Sequence, residues 1–320
     1  MNVLVTGASG FIGRAVVSRL TQNGHRVLPL RRSSAGGGAG PTWNPEIGQV
    51  RLDPAGPLDA AIHLAGENIA QRWTPAARAR IRSSRVDATR LLSGALARLS
   101  QPPRVLVCAS ATGYYGNRSD EMLDEGSPAG TGFLAEVCQA WEAAAEPARQ
   151  HGIRVVHLRL GIVLARHGGA LAKMLPAFRM GLGGRLGSGR QYWSWISMED
   201  LVRVVELALQ EDDCLSGAVN AVSPAAATNA DFTRGLARAL RRPVSVPMPA
   251  FAVRLIFGDM GREALLASAR VQPARLLEGG FVFRFPELDA TFQNLLGKPA
   301  RQPSSGTADT NPLSSPAKRR

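Results

Sequence analysis

Three cysteines in 320 residues (Cys108, Cys138 and Cys214) are too few, and odd in number, for a disulfide framework. They sit in apolar surroundings and point to a reducing compartment. The five histidines, His25, His63, His151, His157 and His167, show no metal-ligand spacing, so no metal site is expected. No apolar run is long enough to span a bilayer. The opening Met1-Asn2-Val3-Leu4-Val5-Thr6 reads as the first strand and leaves no room for a signal peptide, and a cytoplasmic location is expected. Lysine is nearly missing: Lys173, Lys298 and Lys318 are the whole set, so the formal charge of +13 is carried by arginine. The arginines are scattered through every segment and form no stripe with interleaved aromatics, which argues against single-stranded nucleic acid. The expected partner is a small-molecule substrate, with no nucleic acid and no membrane.

A hydrophobic content of 45% is enough for a substantial core. Short apolar runs at 3–5, 26–30, 50–52, 60–64, 104–108, 155–158 and 218–221 read as strands covered on both faces. Helical patterns lie between them at 12–22, 76–99, 133–146 and 198–209. This alternation predicts an α/β fold, a doubly wound parallel sheet of the Rossmann type, with a smaller C-terminal substrate lobe. The expected division is 1–165 with 198–222 for the NADP-binding Rossmann domain and 166–197 with 223–296 for the substrate-side lobe. Helices at 229–240 and 249–257 and a strand-like 281–285 fall in that lobe. Residues 297–320 read as a disordered tail, rich in Pro, Ser and basic residues.

The first strand runs directly into Thr6-Gly7-Ala8-Ser9-Gly10-Phe11-Ile12-Gly13. Gly7 suits the tight turn out of the strand, Gly10 lets the backbone approach a pyrophosphate, and Gly13 lets helix and strand pack closely. The helix that opens near Phe11 and Ile12 turns its free N–H groups toward the phosphates. The second strand ends in Arg31-Arg32, with no carboxylate among its last residues. Guanidinium groups there suit the 2′-phosphate of NADP(H), where an acidic residue would hold the ribose of NAD.

Together with His63-Leu64-Ala65-Gly66-Glu67-Asn68-Ile69, Ser110-Ala111-Thr112-Gly113-Tyr114-Tyr115-Gly116 and Leu158-Arg159-Leu160-Gly161-Ile162-Val163-Leu164, these features give the chain its likeness. It resembles the extended short-chain dehydrogenase/reductases, and within them the atypical nucleoside-diphosphate-sugar-epimerase-like family. The resemblance runs to about residue 296. It implies that Leu64, Ala65 and Gly66 line the adenosine and ribose and that Val163 faces the nicotinamide; the family's frequent asparagine falls at Arg85, which either reaches a cofactor phosphate or stands exposed on its helix. It also exposes a departure. The usual enzymes work with a tyrosine and a lysine four residues later. Here that pair falls at Leu134 and Cys138, and no Tyr-x-x-x-Lys occurs anywhere in the chain.

The remaining candidates for proton transfer are Ser110 at the end of the fifth strand, Tyr114 beside it, and Glu67, a base if desolvation raises its pKa. Tyr192, Trp193 and Trp195 either stack on a flat substrate or anchor their loop. Two readings follow. One is an NADP-dependent oxidoreductase or epimerase-like protein with a non-standard proton relay. The other is a non-catalytic NADP(H)-binding regulatory or sensor protein. A homodimer would use the helices at 76–99 and 133–146.

Overall fold

Strands covered by helices on both faces need apolar residues throughout, and that is how this chain writes them. The structure is a computed structural model that describes residues 1–33, 40–53, 56–210, 215–244 and 246–297. Cys214 and all of the expected tail beyond Gly297 lie outside the described residues.

The main sheet starts with β1 (Asn2–Thr6), β2 (Arg26–Arg32), β3 (Thr42–Asn44), β4 (Gln49–Arg51), β5 (Ala60–His63) and β6 (Val105–Ala111). β7 (Met122–Leu123) lies outside it and β8 (Arg154–Leu160) returns to it. The short β9 (Ile162–Leu164), β10 (Tyr192–Trp193) and β11 (Trp195–Ser197) leave again, and β12 (Gly217–Ala221) forms the far edge. Across the sheet the order is β12-β8-β6-β5-β1-β2-β3-β4, parallel except for the β3–β4 pair. The order reverses between β1 and β5, so the carboxyl ends of these two strands open the crevice where such sheets bind ligands. The expected doubly wound sheet is present; the strand expected at 50–52 is β4, which runs antiparallel at the edge because it pairs with β3, an addition whose Trp43 is buried.

The helices, in chain order, are α1 (Phe11–Gln22), α2 (Pro75–Ala97), α3 (Phe133–Ala143), α4 (Glu146–Gln150), α5 (Gly169–Arg179), α6 (Met198–Ala208), α7 (Asn229–Leu240), α8 (Ala250–Met260), α9 (Ala274–Glu278) and α10 (Leu288–Leu296). α1 and α6 cover one face, packing on Val3, Val5, Ile62, Val107 and Leu158. α2 and α4 cover the other, over Leu4, Ala61, Leu106 and Val155. The single helix expected over 133–146 is two, because Pro147 cannot continue α3 and instead opens α4 in its first turn.

Most of 166–197 and 223–296 gathers on a second apolar cluster, with Leu175, Phe178, Trp193, Phe232 and Phe292 at its centre. Leu276 and Phe283 depart from this and are buried in the core under the main sheet. Phe281–Phe285, expected as a strand, forms none. Its alternation of aromatics reads as a strand, but the backbone N–H groups of Arg284 and Phe285 donate to the Asp200 carboxylate at 2.8 and 3.0 Å. Asp200 is fully buried and also accepts from Ser197 Oγ at 2.9 Å and Arg203 at 3.1 Å. Ser197 caps α6, and Asp200 in the first turn of that helix holds a remote segment as well. Asp200→Ala leaves those donors without an acceptor and is expected to cost about 2–3 kcal/mol, read as a lower urea midpoint with early proteolysis at 281–285.

Candidate functional site

The turn after β1 is built for a ligand that the backbone must approach closely. Gly7 has φ +67°, and a Cβ there would sit 2.8 Å from the Leu64 carbonyl carbon and 2.9 Å from the Ala65 nitrogen. A Cβ on Gly13 would fall onto the Gly7 carbonyl oxygen, far inside van der Waals contact. Gly10 caps α1 without a side-chain hydrogen bond, and the first turn has no acidic residue. The N–H groups of that turn therefore face the crevice unopposed, the arrangement that attracts a pyrophosphate. The ring of Phe11 lies under Gly168 and Gly169, whose φ values are +92° and +66°; a Cβ on Gly169 would stand 2.7 Å from it. The same Cβ would be 3.3 Å from the Val163 carbonyl oxygen, so Val163, buried in β9, belongs to the neighbourhood of Phe11.

The loop after β5 is pinned by one hydroxyl. Thr6 Oγ1 accepts from the N–H groups of Leu64 at 3.1 Å and Ala65 at 3.2 Å. Its own proton is then free for His63 Nδ1, 2.6 Å away. This bond assigns His63 the neutral tautomer with its proton on Nε2, and full burial pushes its pKa down to about 4. Beyond Leu64, Gly66 packs on the guanidinium of Arg85. That group donates to the Glu67 carbonyl at 3.0 Å and the Ile81 carbonyl at 3.2 Å, and stacks over Trp141 with 5.1 Å to the ring centroid. Burial works against its charge and lowers its pKa. Arg85 is thus engaged in holding the 64–67 loop from beneath.

Arg31 and Arg32 stand exposed at the end of β2. The strand end has no acid of its own, but the 3₁₀ turn Pro45–Ile47 brings Glu46 to 4.0 Å from Arg32, and both side chains are well exposed. Such a pair contributes little and exchanges readily for a phosphate.

Deeper in the crevice lies a buried ionic network. Ser110 Oγ donates to Glu142 Oε1 at 2.7 Å. Arg159 donates to both Glu142 oxygens, each at 2.9 Å, a bidentate pair in which Arg159 is 4% and Glu142 13% exposed. Burial opposes the Arg159 charge, but the bonds to Glu142 outweigh it and its pKa is raised. Arg159 also donates to the Tyr115 hydroxyl at 3.0 Å, which donates to Asn220 Oδ1 at 2.7 Å. Burial drives the Tyr115 pKa up to about 12. Tyr114 lies flat on the same guanidinium, 3.4 Å from ring centroid to the guanidinium carbon.

Of the three proton-transfer candidates, the structure brings Ser110 and Tyr114 together through Glu142 and Arg159. Glu67 stands apart. Its carboxylate is 36% exposed, accepts from Gln71 at 3.1 Å and lies 4.0 Å from Arg80, outside the Ser110–Glu142–Arg159 network. Leu134 packs against Gly113, and Cys138 is buried beside it with its thiol pushed up to about 12 by burial and then by the Glu142 charge. Trp193 and Trp195 are anchors: their indole N–H groups donate to the carbonyls of Leu265 and Ala225. Among the described residues no group of three or more His, Cys, Asp or Glu side chains could hold a metal. Nor is any described helix long and apolar enough to cross a membrane.

Comparison with known proteins gives the family and the fold. The profile of the NAD dependent epimerase/dehydratase family matches residues 3–221, and a domain of unknown function, DUF1731, matches residues 248–295. An epimerase family protein of Mycobacterium bovis is 45% identical over 88% of this chain and 93% of its own. The crystal structure of human epimerase family protein SDR39U1 with NADPH superposes with a TM-score of 0.83 at 36% identity, covering 92% of this chain and 99% of that one. A nucleoside-diphosphate sugar epimerase from Corynebacterium glutamicum gives a TM-score of 0.75 at 33% identity, over 92% of this chain and 58% of that one.

Proposed function

The chain belongs to the NAD dependent epimerase/dehydratase family, and on that premise we propose that it binds NADP(H) in the glycine crevice as an oxidoreductase or epimerase-like protein acting on a small polar substrate. The observation that carries the cofactor is the turn itself: Gly7 and Gly13 let it pack tightly against Leu64, Ala65 and its own backbone, and the first turn of α1 that it opens carries no acidic residue. The NADPH in the human relative's structure supports the phosphorylated form, as does Arg31-Arg32. A sugar nucleotide is the substrate class that the name of the Corynebacterium relative supports. The bound nicotinamide would supply or accept the hydride. This chain's residues would bind, orient and handle the proton.

Tyr114 is the residue for the proton in this proposal. It is half-buried, it adjoins the end of β6, and its ring rests on a cation fixed by Glu142. Ser110 orients Glu142 and through it the guanidinium. The charge of the usual lysine is thus met by Arg159 from another strand. Calorimetric titration tests the cofactor. NADPH is expected to bind more tightly than NADH, and Arg31→Ala/Arg32→Ala to weaken NADPH by about 10- to 100-fold while sparing NADH. No binding of either nucleotide would overturn the proposal. Tyr114→Phe is expected to lower kcat on a responsive sugar nucleotide by about 10²–10⁴-fold with cofactor affinity unchanged.

The positions of Leu134 and Cys138 favour a second reading, a non-catalytic NADP(H)-binding regulatory or sensor protein. Neither a leucine nor a buried thiol held at about 12 takes up a proton near neutrality. Hydride transfer to or from any member of a carbonyl and sugar-nucleotide panel decides for the enzyme. A silent panel with intact NADPH binding decides for the sensor. A cytoplasmic location and a homodimer through α2 and α3 complete the proposal, the latter read by light scattering.

A further inference from the structure

The segment around α8 carries a surface that neither the cofactor nor the buried network uses. Phe251 is 72% and Leu255 76% exposed, one turn apart on the same face of α8, with Ile256 beside them. Met180, Leu182 and Val246 are exposed as well. These positions are joined in space. Gly184 lies against the Val246 carbonyl, Leu186 pairs with Met248, and Gly187 packs on Ala250 at the start of α8. Two stretches of chain, around 180–187 and 246–256, thus make one apolar face, larger than the scattered exposed side chains of an ordinary surface.

Along these two stretches of chain the charge has one sign. Residues 166–198 contain five Lys or Arg and no Asp or Glu, and residues 232–258 likewise contain five and none. Arg179, Arg185, Arg241, Arg242 and Arg254 are exposed there, and among the described residues none of these guanidinium groups meets a carboxylate. The acids nearest in the chain are already engaged: Asp231 with Arg234, and Asp259 with Arg78 and Arg262. Exposed aliphatic side chains within a cationic field are what an anionic lipid surface takes up, the apolar groups entering the acyl boundary and the guanidinium groups staying with the headgroups. A second copy of this face would set cation against cation. A nucleic acid would call for aromatic platforms, and of the exposed apolar residues named only Phe251 is aromatic.

We propose that the face formed by 180–187 and 246–256 docks the protein on an anionic membrane surface. This docking needs no spanning segment, and for that reason no run in the sequence announces it. It stands independently of the cofactor reading.

The test is flotation of the full chain with vesicles of phosphatidylcholine alone or mixed with phosphatidylglycerol. The protein is expected to float with the mixed vesicles, less so as salt rises, and to stay behind with phosphatidylcholine. Phe251→Ser/Leu255→Ser is expected to lower the bound fraction at least about tenfold, with an unchanged circular dichroism spectrum because both side chains are already in solvent. Arg241→Glu/Arg242→Glu is expected to act likewise. Equal flotation of both variants would place binding elsewhere on the chain and overturn the proposal, as would no flotation of the parent. A dimer in light scattering that the Phe251/Leu255 variant dissolves would assign the face to a second copy instead. RNA binding lost in the same variant would assign it to nucleic acid.

Discussion

Acidification from about pH 7 to about pH 4.5 is expected to remove about 5 kcal/mol of stability through two histidines alone. His63 and His157 are buried at 0% and 3% exposure, and burial lowers each pKa to about 4 from the ordinary 6.5. For His63 the Arg85 charge adds to this. For His157 the Glu142 charge opposes it in part, with Arg149 and Arg159 on the side of burial. The native state holds both rings neutral while the unfolded chain takes up two protons. The stability conferred by this difference is therefore full above about pH 6.5 and falls as pH drops toward 4. At a domain stability of about 5–15 kcal/mol, such a loss brings the protein close to unfolding.

The two rings can be separated experimentally. Both His157 nitrogens lack a partner among the described residues, so an apolar side chain of similar size forfeits no hydrogen bond. His157→Leu is expected to keep or raise stability at about pH 7 and to halve the pH slope of the urea midpoint below about pH 6.5. His63 differs because Thr6 depends on it. A proton arriving on Nδ1 leaves no acceptor for the Thr6 hydroxyl proton, so the clamp on Leu64 and Ala65 has to rearrange. A parent protein whose urea midpoint stayed flat from about pH 6.5 to 4.5 would refute the assignment of neutral buried rings.

The crevice was legible in the sequence because its cause is local. A glycine that must accept φ +67°, a glycine where a Cβ would strike a carbonyl, and a strand ending in Thr6 lie within a dozen residues of one another. The Glu142–Arg159 pair was not legible in the same way. Its halves are 17 residues apart on different elements, and their meeting depends on Arg159 standing beside Ser110 in the β6–β8 register. A signal was nevertheless present. Val155, His157 and Arg159 alternate onto one face of a strand buried on both sides, and an arginine in that position requires a carboxylate from whatever helix covers it. Following the alternation one residue beyond Leu158 leads to the pair. The strand expected at 281–285 failed for the opposite reason. Its pattern was right, but its hydrogen bonds go to Asp200, 85 residues from Phe285, a partner that periodicity cannot name.

Glu142→Ala is expected to destabilise the protein by about 3–5 kcal/mol, because it strands the Arg159 guanidinium at 4% exposure with Tyr115 as its remaining partner. Glu142→Gln keeps one acceptor and should cost less. The pair as a whole is a different quantity from either half. Removing both charges in Glu142→Leu/Arg159→Met takes away the desolvation cost together with the attraction, and most of the lost stability should return. What should not return is function. Tyr114 would lose the cation beneath its ring, and Ser110 the carboxylate it donates to. The double variant is therefore expected to unfold at nearly the parent's urea concentration, to bind NADPH as the parent does, and to transfer hydride about 10²-fold more slowly. A variant that regained stability and kept the parent's rate would reduce the network to packing and leave Tyr114 without the charge its proposed role needs.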